Sequence, residues 1–108
     1  MAAALFQPLS LRGLTLANRV VIAPMCQYSA EAGLPTDWHL IHLGGLSMAG
    51  SGLLIIEAVG VEPRGRITPR CLGIWNDEQV EAFKPITAFI ESMGSVPAIQ
   101  LAHAGRKA

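Results

Sequence analysis

Gly52-Leu53-Leu54-Ile55-Ile56-Glu57-Ala58-Val59 is an almost uninterrupted apolar run. It reads as a strand covered on both faces, because a strand with one wet face would alternate apolar and polar residues. Such strands belong to parallel sheets sheathed by helices. Upstream, Arg19-Val20-Val21-Ile22-Ala23 supplies another β-branched strand. Pro24, which lacks a backbone donor, should stop its pairing. Downstream, residues 96–102 read as a third strand.

Helical signals separate these strands. Thr36 or Asp37 offers an N-cap to a helix over residues 38–49. Gly44, Gly45 and Gly50 weaken it, and close approach of the helix to the sheet is the expected compensation. Asn76-Asp77-Glu78-Gln79 resembles an N-cap followed by a glutamine that can reach back. Val80, Phe83, Ile86, Ile90 and Met93 then form one apolar face; Pro85 should kink or restart this second helix, and Gly94 should end it. The order strand, helix, strand, helix, strand predicts neighbouring parallel strands joined by right-handed crossovers. Residues 5–16, alternating around Pro8 and Gly13, predict a short β-hairpin ahead of the sheet.

Composition narrows the function. The 108 residues are 51% hydrophobic and carry eight basic and eight acidic side chains, so no charge-driven partner such as nucleic acid is expected. No window approaches a membrane-spanning length, and Met1-Ala2-Ala3-Ala4-Leu5 lacks a basic leader region, which predicts a cytoplasmic protein without membrane contact. Cys26 and Cys71 are then expected as free thiols, and no metal site is expected. His39 and His42 lack an acidic or cysteine partner nearby in sequence and read as packing residues, as do Trp38 and Trp75. Arg64 and Arg66 read as loop charges or partners of an adjacent carboxylate.

Three parallel strands with two helices leave sheet edges unpaired. A closed (β/α)8 barrel takes about 250 residues. Residues 1–108 are therefore expected to be the N-terminal part of a single barrel domain, a hairpin plus the first three β/α units. The remainder would come from the same protein or a companion chain. In such sheets, sites form at the C-terminal strand edge. There the first strand runs out into Ala23-Pro24-Met25-Cys26-Gln27-Tyr28. Taken alone, Cys26 reads as an inert thiol and Tyr28 as a half-buried loop aromatic.

Those six residues do not stand alone. Leu5-Phe6, Asn18-Arg19, Gly65-Arg66-Ile67 and Ile99-Gln100-Leu101-Ala102-His103-Ala104-Gly105-Arg106 accompany them in order and spacing. Together they make the chain resemble the N-terminal third of Old Yellow Enzyme flavoproteins, with Met25-Cys26 resembling the bacterial xenobiotic reductase and thermophilic-like ene-reductase branch. The resemblance implies an α/β fold, the N-terminal portion of an FMN-binding (β/α)8 TIM barrel. It implies an oxidoreductase that takes hydride from NADPH or NADH and passes it from the flavin to an activated C=C bond. Enones, nitro-activated alkenes and maleimides are the substrate types implied.

The same resemblance places Ala23, Pro24, Met25, Cys26, Ala58 and Gln100 at the cofactor. Ala23, Pro24 and Ala58 would offer small contact surfaces, and the Gln100 carboxamide, both donor and acceptor, would meet the pyrimidine edge of the flavin. Cys26 would modulate the flavin's redox behaviour without forming a covalent bond. Tyr28 would orient substrate by hydrogen-bonding the oxygen on which charge develops. His103 and Arg106 would be supporting elements. A homo-oligomer is implied, while the fourth-strand substrate anchors, the proton donor and the phosphate site fall outside these residues. The competing expectations are a dienoyl-CoA reductase-like flavin barrel and a non-catalytic fragment that only assembles with the remaining barrel.

Overall fold

The computed structural model describes residues 3–107. Met1 and Ala2, which open the stretch read for a leader, lie outside the described residues, as does Ala108 at the end of the third unit. A hairpin of β1 (Leu9–Leu11) and β2 (Leu14–Leu16) comes first, closed by Arg12 and Gly13. Leu5, expected in the hairpin, sits instead in a 3-10 turn, Ala4–Phe6. The main sheet contains β3 (Val21–Ile22), β4 (Leu53–Gly60) and β5 (Val96–Ala102), parallel and in that spatial order. Helices α1 (Asp37–Met48) and α2 (Asp77–Ser92) provide the connections. No described helix is long and apolar enough to cross a membrane.

β3 is shorter than residues 19–23, and both of its ends have a physical cause. Before it, the Asn18 side chain takes over the backbone groups: Oδ1 accepts from the amides of Val20 (3.0 Å) and Gly52 (2.8 Å), and Nδ2 donates to the Gly50 carbonyl (2.7 Å). After it, Pro24 ends the pairing at Ile22–Leu54, and six residues further along β4 the loop of residues 72–74 pairs with Gly60. There the Gly60 amide donates to the Leu72 carbonyl and the Ile74 amide to the Gly60 carbonyl, both at 2.9 Å. A loop thus adds pairing at the far end of β4.

The helices cover one face only. Leu54, Ile56 and Val59 of β4 meet Leu43 of α1 and Phe83, Ile86 and Ile90 of α2 in a continuous core, with Ile22 and Ile99 packed against it. Each such buried side chain contributes about 1.5–3 kcal/mol. On the other face Leu53, Ile55, Val96 and Ala98 are only half-buried, so the expected double cover is not present within the described residues. The radius of gyration is 14.7 Å, whereas a closed domain of this length has about 13 Å.

Local expectations meet particular outcomes. Thr36 does cap α1, and the Nδ1 of His39 accepts from the Thr36 amide at 2.9 Å, filling the capping-box position usually held by a carboxylate or carboxamide. Asn76 caps α2 by accepting from the Gln79 amide (2.9 Å), but Gln79 reaches one residue further back than its own cap, to the Trp75 amide (2.8 Å). That bond buries Gln79 in the first turn. Val80 and Met93, expected on the apolar face, are about 40% exposed at 40% and 41%. Pro85 lies on the exposed side of one continuous helix, which does not restart. Gly94, at φ 85°, follows the helix end in the left-handed region that favours glycine.

Gly44 of α1 serves a helix-helix contact, not the helix-sheet contact expected. A Cβ on Gly44 would lie 3.2 Å from the Phe89 ring of α2, whereas one on Gly45 would meet nothing within 4 Å. Gly52 is more confined, since its Cβ would sit 2.2 Å from the Asn18 carbonyl oxygen. We therefore expect Gly52→Ala to destabilise the protein by about 1–3 kcal/mol through overpacking against backbone. Gly45→Ala should instead be neutral or stabilise by about 0.5–1 kcal/mol, as alanine does in a helix interior. Urea denaturation of the full-length variants checks both signs.

Candidate active site

The C-terminal end of β4 is shaped by one extra residue. Ile56 pairs with Ile99 of β5 and Ala58 with Gln100, so Glu57 is inserted as a β-bulge. Up to that point the even-numbered residues of β4 face the helices; beyond it the phase inverts, and Val59 enters the helix-side core. Ala58 is thereby turned to the open face beside its ladder partner Gln100, which is exposed. Ala23 is also exposed, and by strand alternation it follows Val21 onto the same face. A small side chain thus stands beside the Gln100 carboxamide, with Ala23 on the same face two strands away.

Beyond Pro24, the loop carrying Met25, Cys26 and Tyr28 is tied down from below. The Glu57 carboxylate is 4% exposed, and its Oε2 accepts from the Gln27 amide at 2.8 Å. Its Oε1 lies 3.3 Å from Nε2 of the buried His39. Because His39 Nδ1 accepts from the Thr36 amide, the ring proton is assigned to Nε2, facing that carboxylate. The contact is off the ideal donor axis, so Nε2 has ionic company without a well-aligned hydrogen bond. Gln27 is also held through its side chain, which donates to the Met25 carbonyl (3.0 Å) and accepts from Trp38 Nε1 (3.1 Å).

His39, expected as a packing residue, stands far from Glu57 in the sequence, and Glu57 lies inside an apolar strand. The fold joins them. The available signal was an acidic residue inside an otherwise apolar strand, since a buried charge needs a partner. Trp38, expected to anchor packing, is instead 52% exposed, stacks on His42 and donates to the loop.

Tyr28 sits at φ 52°, in the left-handed region that a bulky residue seldom adopts. Its carbonyl accepts from Arg70 Nε at 3.0 Å, and the Ala30 amide donates to the Arg70 carbonyl at 2.9 Å. The loop carrying Arg70 therefore brackets the segment opposite Glu57. Tyr28 is 46% exposed and Met25 is exposed, while Pro24 and Cys26 are half-buried. Desolvation, reinforced by the Glu57 carboxylate, pushes the Cys26 thiol above its usual range; contacts with the Ala58 backbone and the Tyr28 side chain oppose this. The Cys26 sulfur, followed by desolvation, holds the Tyr28 phenol above its usual range. Cys71 is a buried free thiol whose Sγ accepts from the Thr68 amide at 3.4 Å.

A second charged group joins the loops after β4 and β5. Glu62 Oε1 meets Arg64 Nε at 2.9 Å and His103 Nε2 at 2.6 Å, and those bonds, Arg64 first, hold its carboxyl below the usual range. His103 Nδ1 accepts from the Gly105 amide (2.9 Å), so its Nε2 donates to Glu62. Gly65 has no Cβ because one would lie 2.8 Å from that ring. Arg64 thus pairs with a carboxylate as expected. Arg66 does not: its guanidinium lies 5.1 Å from the Trp75 ring centroid and donates to the carbonyls of Pro63 and Pro69.

The family model for NADH:flavin oxidoreductases and NADH oxidases matches residues 4–108. The chain is 52% identical over 103 residues to an NADH:flavin oxidoreductase of Gibberella zeae, covering 95% of this chain and 25% of that protein. It is 46% identical over 110 residues to an NADPH dehydrogenase of Bacillus subtilis, covering 100% and 32% respectively. The chain thus spans about a quarter to a third of the length of these curated relatives. Among solved structures, morphinone reductase in complex with tetrahydroNAD superposes with a TM-score of 0.87 at 34% identity, over 99% of this chain and 29% of that one. The Old Yellow Enzyme homologue of Zymomonas mobilis gives 0.86 at 35% identity, over 96% and 29%. The sheet and helices described above are therefore the N-terminal portion of a (β/α)8 barrel preceded by a hairpin. With a family match over nearly its whole length and this fold, the chain belongs to the NADH:flavin oxidoreductase / NADH oxidase family, the family of the Old Yellow Enzymes.

Proposed function

We propose that the full-length protein is an FMN-dependent NAD(P)H oxidoreductase that reduces activated C=C bonds, and that residues 1–108 form the first part of one barrel domain. The observation that carries this reading is the bulge at Glu57, which sets Ala58 beside Gln100 under the loop of Cys26 and Tyr28. Ala23, Pro24, Met25 and Ala58 form the contact surface for the flavin ring, and Gln100 offers donor and acceptor to its pyrimidine edge. Reduced FMN, when bound, supplies the hydride. The remaining barrel covers the half-buried face of Leu53, Ile55, Val96 and Ala98.

Within that site Cys26 acts as a thiol. Its raised pKa means that it keeps its proton through neutral pH and loses it only in alkaline solution. The Sγ–H is then a weak donor and a polarizable neighbour to the ring, suited to tuning and poorly suited to nucleophilic attack. Tyr28 likewise stays protonated at neutral pH, so its hydroxyl donates to the carbonyl or nitro oxygen of the substrate as negative charge develops there.

Purified full-length protein should carry a yellow flavin chromophore and reduce 2-cyclohexenone at the expense of NADPH or NADH; absence of both would overturn the proposal. Tyr28→Phe should raise KM for the enone with a loss in kcat/KM of about tenfold, equal to about 1.4 kcal/mol of transition-state binding. Steady-state kinetics measure it. Cys26→Ala should leave flavin bound while shifting its midpoint potential in a spectroelectrochemical titration, and loss of flavin would count against the modulator role. In the unmodified protein, iodoacetamide should alkylate Cys26 more slowly than free cysteine at pH 8, with a rate that climbs only above the usual thiol range. Peptide mass spectrometry resolves that rate.

A further inference from the structure

We propose that Glu57, backed by His39, is a positioning residue that holds Tyr28 in place through the backbone of Gln27. The carboxylate sits under the loop because the bulge in β4 aims it there, and it is buried at 4% exposure. One oxygen accepts the Gln27 amide at 2.8 Å, one residue before Tyr28. The other faces His39 Nε2 at 3.3 Å, and His39 is itself locked by the Thr36 amide at the first turn of α1. The chain of contacts therefore runs from the helix N-terminus through two buried side chains into the loop.

Tyr28 gives that chain something to hold. Its φ of 52° is a left-handed conformation with no glycine to relieve it, and such outliers persist only where neighbours determine them from more than one side. Glu57 supplies one side through the Gln27 amide. Arg70 supplies the other through the Tyr28 carbonyl at 3.0 Å. One Glu57 oxygen faces His39 in the helix layer, which leaves the other for the loop. The carboxylate spends a buried charge on the single backbone amide that precedes the residue assigned to substrate orientation, an assignment that rests on the proposed function.

Two measurements on the full-length protein test the inference. The first needs neither flavin nor activity. In hydrogen exchange of the unmodified protein, the Gln27 amide should be protected at least about 100-fold relative to an unstructured chain, although it lies outside any strand or helix. Unprotected exchange overturns the proposal even if the variants below fail to fold.

The second uses 4-hydroxybenzaldehyde as probe, titrated against the flavin absorbance. Glu57→Leu should weaken its binding about tenfold with flavin retained, and Glu57→Gln, which keeps an oxygen acceptor for Gln27 but turns its NH2 toward His39 Nε2–H, should recover part of that loss. In a Tyr28→Phe background the Leu substitution should change the dissociation constant less than about twofold, because its effect passes through Tyr28. Equal losses for Leu and Gln, or an undiminished loss in the Tyr28→Phe background, overturn the positioning role. A protein that shows Gln27 protection but binds no flavin would overturn the proposed function instead and leave the clamp standing.

Discussion

The residue that Glu57 inserts between the Ile56–Ile99 and Ala58–Gln100 pairs inverts the phase of β4 over its last turn, and the site follows from that inversion. Without it, strict alternation would send Ala58 to the helix side with Leu54 and Ile56, and Val59 would crowd the open face. With it, the smallest side chain stands where a planar ligand can approach, and the larger one completes the core. The same inserted residue brings a carboxylate under the loop that follows β3. One register irregularity thereby couples surface, core and loop.

The architecture was largely legible because its signals are local. The run at residues 53–60, the Asn76 cap and the stop at Gly94 each act within a few residues, and β5 spans residues 96–102 as read. What escaped depends on distant partners. β3 pairs over Val21–Ile22 alone because the Asn18 side chain claims the Val20 and Gly52 amides before it, and nothing in Arg19-Val20-Val21-Ile22-Ala23 announces that competitor. Val80 yields the first turn of α2 to Gln79 because the glutamine satisfies the Trp75 amide, a bond that hydrophobic periodicity cannot foresee. The bulge is hidden for a related reason: in a strand apolar throughout, a phase inversion leaves almost no trace in the pattern.

For the candidate site, the residues were legible through the family resemblance and their arrangement was not. Cys26, Tyr28, Ala58 and Gln100 could be named from the sequence, but the bond between Glu57 and Gln27 joins positions 30 apart. His39 and Glu57 also lie far apart in the chain, so each looked like an ordinary member of its own element. A charged residue in the middle of an apolar strand was the one available clue.

The strained loop and its two clamps belong to one energetic balance. Holding a non-glycine residue in the left-handed region costs about 1–2 kcal/mol. A hydrogen bond involving a charged group contributes about 1.5–3 kcal/mol, and both clamps are of that kind: Glu57 to the Gln27 amide and Arg70 to the Tyr28 carbonyl. Arg70 is exposed, so its share lies toward the lower end; Glu57 is buried and cannot exchange its partner for water without cost. Either clamp can offset the strain, and both together leave a surplus that keeps the segment from relaxing. The phenol of Tyr28 is thus presented by a rigid backbone, and a donor held before substrate arrives needs no reorganisation when charge develops on the substrate oxygen. A mobile lid at this position would forfeit that advantage, which is why the strain sits at the residue proposed to orient the substrate and the buried charge sits directly beneath it.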